Sequence, residues 1–288
     1  MDIKILKKEK SIYKVNLFYL CTIIWSIFSQ FLPTPANSYQ YIAFLIPISI
    51  YLFFNRSEVE RILRPDMLDL KSTIIIFLIW LASLPLIFLI VELYIYFFGS
   101  TLADIVSQDT HKTFAFNLFF TAVTPAILEE ILMRGIILDG YRNKSRLVAA
   151  TMNGLMFGML HLNSFQFFHT FIAGFLASFL VFATNSIFAG ILIHMINNGL
   201  PLTLNYLYPP NPNIGYAEDP NFLLLTLYAL LGVMFLFQLI KVLFKINNIP
   251  FRIDKDLSDE RIFNLPLILS MFIFLGFTLN IVNDVAPV

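Results

Sequence analysis

Residues 113–138 read TFAFNLFFTAVTPAILEEILMRGIIL. An α-helix needs about 20 mainly apolar residues to cross a bilayer, and this run is long enough. Yet its second half holds Glu129, Glu130 and Arg134. A charge at mid-bilayer costs about 2.5–3.5 kcal/mol on insertion scales, so such groups face a protein interior and mark a use. Helix geometry sorts the three. Glu130 and Arg134 are four apart and can pair on one face. Glu129 lies about 100° around the helix, and no opposite charge shares its side. The pair is read as a packing lock, and Glu129 as the unpaired carboxylate.

The rest of the chain fits the same medium. Of 288 residues, 58% are hydrophobic and 13% charged, against about 25% charged in soluble domains. Mean hydropathy is +0.77. A water-soluble fold could not hide so much apolar surface in one core. Nine apolar stretches lie near 15–33, 39–54, 72–98, 113–138, 146–163, 165–183, 186–206, 221–244 and 263–282. Prolines at 33, 35, 209, 210 and 212 mark loops between them. The expected fold is an all-α, polytopic bundle of about nine membrane helices. The first apolar run is too long for a signal-peptide core and lacks a small-residue cleavage site, so it reads as a retained helix. Cys21, the one cysteine, excludes a disulfide framework and a thiolate metal site, and reads as a buried small residue.

Net charge is zero and calls for no nucleic-acid partner, but its distribution orients the chain. Basic residues of short loops prefer the cytoplasm. With the amino terminus inside and nine crossings, every Lys and Arg except Lys112 and Arg134 falls on the inner side. The loop 207–220 carries Glu218 and Asp219 but no basic residue, so it reads as outside, and the loop 139–146 as inside. The carboxyl terminus is then outside.

Two other helices carry polar groups. Phe157-Gly158-Met159-Leu160-His161 ends the fifth, and His194-Met195-Ile196-Asn197-Asn198 lies within the seventh. His194 and Asn198 are four apart and share a face. Three helices can thus aim a carboxylate, two imidazoles and a carboxamide at one point. That set suits hydrolysis. The carboxylate takes a proton from water and an imidazole orients or relays it. An amide and a second imidazole donate to a developing oxyanion. Two His and one Glu also match a catalytic zinc site, here Glu129, His161 and His194. The pattern leaves open a metal-free site or a single zinc ion, and HExxH is absent.

The order EExxxR, FxxxH, HxxxN, each on its own membrane helix, resembles the CAAX protease and bacteriocin-processing family of intramembrane endopeptidases. Here the motifs are Glu129-Glu130…Arg134, Phe157…His161 and His194…Asn198, and they lie within 113–206. The resemblance implies a catalytic core at 113–206 between membrane helices at 1–112 and 207–288. It implies that Glu129 and His161 activate water, that His194 and Asn198 form the oxyanion site, and that Glu130, Arg134 and Phe157 support them. The substrate would be a membrane-associated peptide or protein, the setting a lipid bilayer, and the location a bacterial cytoplasmic membrane. The rivals are a proton-coupled transporter, which would show internal symmetry, and a non-catalytic scaffold, which would be expected to lose Glu129 or a histidine.

Some residues read as bland. Asn197 is an alternative amide at less suitable spacing. Glu92 reaches the interface, His169 matches no motif and reads as packing, and His111 reads as solvated. One count fits badly. Glu129 and His194 come out near mid-membrane, and His161 about 10 Å nearer the outer face at 1.5 Å per residue.

Overall fold

The computed structural model describes residues 10–35, 38–106, 113–209, 220–252 and 255–285. Among them the fold is all-helical, and the one β-type contact is an isolated bridge between Pro65 and Ser186. The helices are α1 (Ser11–Ser29), α2 (Tyr41–Phe54), α3 (Arg56–Leu63), α4 (Leu70–Phe98), α5 (Thr101–Val106), α6 (Phe114–Gly140), α7 (Arg146–Leu160), α8 (Ser164–Thr184), α9 (Ile187–Leu207), α10 (Phe222–Ile246) and α11 (Leu265–Val285).

All nine expected stretches are helical, but not all are spans. Among the described residues, six helices are long and apolar enough to cross a membrane: α1, α4, α6, α8, α9 and α10. The pair α2 and α3 bends by 90° and makes a seventh if counted as one. The helix α7 has 15 residues, about 22 Å at 1.5 Å per residue, against a hydrocarbon core about 30 Å thick. The apolar part of α11, Leu265–Ile281, is also short.

Exposure follows from the apolar surroundings. Only 22% of the α4 span and 17% of the α10 span is buried, and their outer faces carry Phe88, Tyr96, Leu230 and Phe235. In lipid every backbone group must find a partner inside the chain, and apolar side chains can stay outside. Cys21 is likewise exposed on α1, not buried. A sequence cannot say which face of an all-apolar helix meets protein.

Polar ties fix the interior. The Asn153 amide of α7 donates to the Met133 carbonyl at 2.6 Å, and its oxygen accepts from Ser178 of α8 at 3.1 Å. The Tyr141 hydroxyl donates to Asn16 at 2.8 Å, and the Asn16 amide reaches the Ile262 carbonyl at 3.1 Å. The helices α7 and α8 touch through glycines. A Cβ on Gly154 would stand 2.7 Å from the Phe171 carbonyl oxygen, and one on Gly174 2.9 Å from Gly154 Cα. Small residues at such seams let helix backbones approach closely.

Helix ends also sort by side. The end of α3, the α6–α7 turn, the end of α8 and the end of α10 meet around one basic cavity. The start of α4 adjoins the first of these, and Ser100 follows the far end of α4. After replacement of Cys21, cysteines at Asn143 and Ser100 are expected to react with impermeant thiol reagents from opposite faces, Asn143 from the inside. Labelling of both from one face would contradict this topology. Most of the loop 207–220, with Glu218 and Asp219, lies outside the described residues, as do His111, Lys112 and the first basic residues.

Candidate active site

The site begins with an irregular helix. In α6, π-helical turns at Leu118–Val123 and Ile131–Ile137 flank the α-helical Thr124–Glu130. Each π turn adds a residue and rotates the helix beyond it, and such turns recur at functional sites. Pro125 opens the middle segment. It has no N–H for the carbonyl one turn back, which belongs to Thr121. That oxygen accepts from the Asn198 amide of α9 at 3.2 Å. The Asn198 oxygen in turn accepts from Asn197 at 3.3 Å.

Glu130 and Arg134 pair at 2.8 Å, both side chains 1% exposed. The same Glu130 oxygen lies 2.9 Å from His194 Nδ1. An ion-paired carboxylate only accepts, so His194 donates from Nδ1 and turns Nε2 to the cavity. The His194 Nε2 stands 4.0 Å from Glu129 Oε2. Glu130 is thus a positioning residue as well as half of a structural pair. Sequence showed the pairing with Arg134 but not the bond to His194, because contacts between helices leave no spacing signal. With Nδ1 committed to Glu130, His194 can donate into the cavity only as the imidazolium, a condition the sequence could not reveal.

The second oxygen of Glu130 has no hydrogen-bond partner among the described residues. It lies against Gly190, where a Cβ would be only 2.3 Å away. Gly190 was missed at the sequence level; its position one turn before His194 was the available signal. Phe157 seals the rear. Arg134 sits over its ring at 4.4 Å, and the His161 and His194 rings meet it edgewise at 5.2 and 5.8 Å.

His161 occupies the turn after α7. Its Nδ1 is 3.0 Å from the Phe157 carbonyl, which can only accept, so Nε2 is its unprotonated nitrogen when the ring is neutral. Leu162 has φ 54 and reverses the chain. Asn163 then caps α8 by accepting from Gln166 N at 2.8 Å, and its amide donates to the His161 carbonyl at 2.9 Å. Despite the expected offset in depth, His161 borders the same cavity as Glu129 and His194.

All four residues, Glu129, His161, His194 and Asn198, line one cavity of about 370 Å³, together with Asn197, Gln166 and His169. His169 lies in the wall of this cavity while its ring packs against Phe165 at 5.5 Å. A second cavity, about 600 Å³ and bordered by α1, α2, α5 and α11, shares Gln40, Glu129, His161 and Gln166 with the first. Among the described residues no three His, Cys, Asp or Glu side chains are arranged to hold a metal ion. Glu129, His161 and His194 as placed do not form the zinc ligand set that their types allowed.

Residues 111–200 match the model of the family described as type II CAAX prenyl endopeptidase Rce1-like. Comparison with curated proteins and with solved structures gave no match. The matched stretch runs from the start of α6 into α9 and contains every residue of the three motifs. The chain thus has the helices of a multi-pass membrane protein, and its residues 111–200 are similar to the Rce1-like type II CAAX prenyl endopeptidases.

Proposed function

We propose that the chain is an intramembrane endopeptidase that hydrolyses a peptide bond of a membrane-associated peptide or protein. The observation that carries this reading is the convergence of Glu129, His161, His194 and Asn198 on one cavity inside a helical bundle. Water held by Glu129 and His161 Nε2 loses a proton to the Glu129 carboxylate as its oxygen attacks the scissile carbonyl carbon. The carbonyl oxygen becomes an oxyanion. The imidazolium of His194 donates to it from Nε2, with Nδ1–H anchored on Glu130, and the Asn198 amide donates beside it. Glu129 then passes its proton to the departing amine, and the C–N bond breaks.

The arrangement also supports a division of labour. Glu130 and Arg134, paired with each other at the cavity wall, act by holding His194 and the α6–α9 seam. Purified protein in detergent is expected to cleave a reporter peptide library, and Glu129→Ala to leave it intact. Equal cleavage by both proteins would end the reading of Glu129 as the water-activating group.

A further inference from the structure

Another cavity lies away from this site, at the end of the bundle where α3, α6, α8 and α10 finish. It measures about 630 Å³, and Arg64, Arg142, Lys144, Arg146, Arg252 and Lys255 line it. Its floor is apolar, with Ala149, Val181, Phe182 and Ile249. Basic residues at helix ends are expected from topology alone, but topology requires only that they lie on one face. Six cations drawn from three separate segments around one cavity repel one another in a setting of reduced dielectric.

The cavity is held in shape by the chain's own bonds. Lys144 Nζ donates to the Ser258 carbonyl at 2.6 Å, and Arg146 to the Pro250 carbonyl at 2.8 Å. The Leu257 N–H donates to the Asn143 carbonyl at 2.8 Å, and the Ser145 N–H to Asp256 at 2.8 Å. The segment after α10 is thereby strapped onto the α6–α7 turn. Among the described residues, two nearby acids are already engaged, Asp256 by Lys144 at 3.3 Å and Asp139 by Arg61 and by Arg142 at 3.5 Å.

Arg64 is the most telling member. Its backbone is left-handed, with φ 45, which is costly for a residue with a side chain. Its carbonyl accepts from Ile187 N at 3.1 Å, so the start of α9 fixes this conformation. Its guanidinium is partly buried and makes no hydrogen bond or ion pair among the described residues. Burial lowers its pKa from the usual guanidinium range. A cation held this way needs an anion.

We infer that this cavity binds a phosphate group, that of an anionic phospholipid whose headgroup meets the six cations while its chain begins on the apolar floor. A lipid is the better source than a free phosphate ester because the apolar floor lies beneath the basic rim, at the level where the helices end.

The test compares lipid nanodiscs of phosphatidylcholine alone with discs containing phosphatidylglycerol. It measures melting temperature and, by native mass spectrometry, retained lipid. Phosphatidylglycerol should raise the melting temperature and remain bound. Arg64→Gln/Lys255→Gln should bind it about thirtyfold more weakly, at about 1 kcal/mol for each basic side chain removed. Arg56→Gln/Lys71→Gln, which removes the same charge from exposed positions outside the cavity, should bind like the parent. Equal weakening by both pairs would reduce the effect to the general charge of that face and overturn the site. Stabilisation by millimolar inorganic phosphate in phosphatidylcholine discs, with no added effect of phosphatidylglycerol, would overturn the lipid assignment. If Arg64→Gln/Lys255→Gln already melts early in phosphatidylcholine, Arg252→Gln/Lys255→Gln, at two exposed positions, takes its place with the same expectation.

Discussion

Glu129→Gln should lower turnover about 100- to 10,000-fold, the range for loss of a general acid–base group, in a protein that melts like the parent. Glu130→Gln should fail in another way. Glu130 accepts from both Arg134 and His194 through one oxygen, at 2.8 and 2.9 Å, so it is a poor proton acceptor. Its replacement strands the Arg134 guanidinium, 1% exposed, without its counter-charge. Breaking a buried pair by removing one partner costs about 3–5 kcal/mol. Lost expression and a lower melting temperature should come first, with activity falling as a result. Glu130→Gln/Arg134→Met, which removes both charges, should regain much of the stability. Among the described residues Glu129 has no ion pair closer than the 4.0 Å contact to His194, so its replacement strands no partner there. The measurement is turnover per folded molecule beside melting temperature. A stable but inactive Glu130→Gln, together with an active Glu129→Gln, would exchange the two roles.

The second large effect is expected at Gly190. An alanine Cβ there would stand 2.3 Å from Glu130 Oε2 and 3.2 Å from its Cδ. Glu130 cannot swing away without leaving both Arg134 and His194. Overpacking of this kind costs about 1–3 kcal/mol, and the larger loss should be in turnover, because the displaced carboxylate releases the His194 ring. Gly199→Ala on the same helix is the control. Its Cβ would meet Ala122 and Leu118 at an ordinary 3.4 Å, and alanine should add up to about 1 kcal/mol of helix stability. Turnover per folded molecule that survives Gly190→Ala would show that the Glu130–His194 bond does not matter to catalysis.

Much of this arrangement was readable from residue order, for physical reasons that also set the limits. Charges are so costly in lipid that Glu129, Glu130 and Arg134 had to face inward, and the Glu130–Arg134 bond follows from a spacing of four. Helical content followed equally directly from apolar length. The contacts made across helices were not readable. Nothing in the spacing of α6 and α9 ties Glu130 to His194, or Asn198 to the carbonyl opposite Pro125. The π turns of α6 carry no local sequence mark, and counting residues along separate helices does not show that His161, Glu129 and His194 meet at one cavity. His169 was set aside for lacking an acidic neighbour in sequence, although the turn at Leu162 brings it to the cavity. Cys21 was misread because burial in lipid and burial in protein look alike in an apolar run.

The wall shared by the two cavities bears on how the reactants meet. A hydrolase consumes one water with every bond it cuts, and in a bilayer water and an apolar peptide do not arrive by the same road. Gln40, Glu129, His161 and Gln166 border both spaces. On the proposed reading Glu129 stands where two approaches meet, and a chain lying in one leaves the other unobstructed. Delivery of the nucleophile need not wait for the first product to depart, nor compete with the incoming strand for a single doorway.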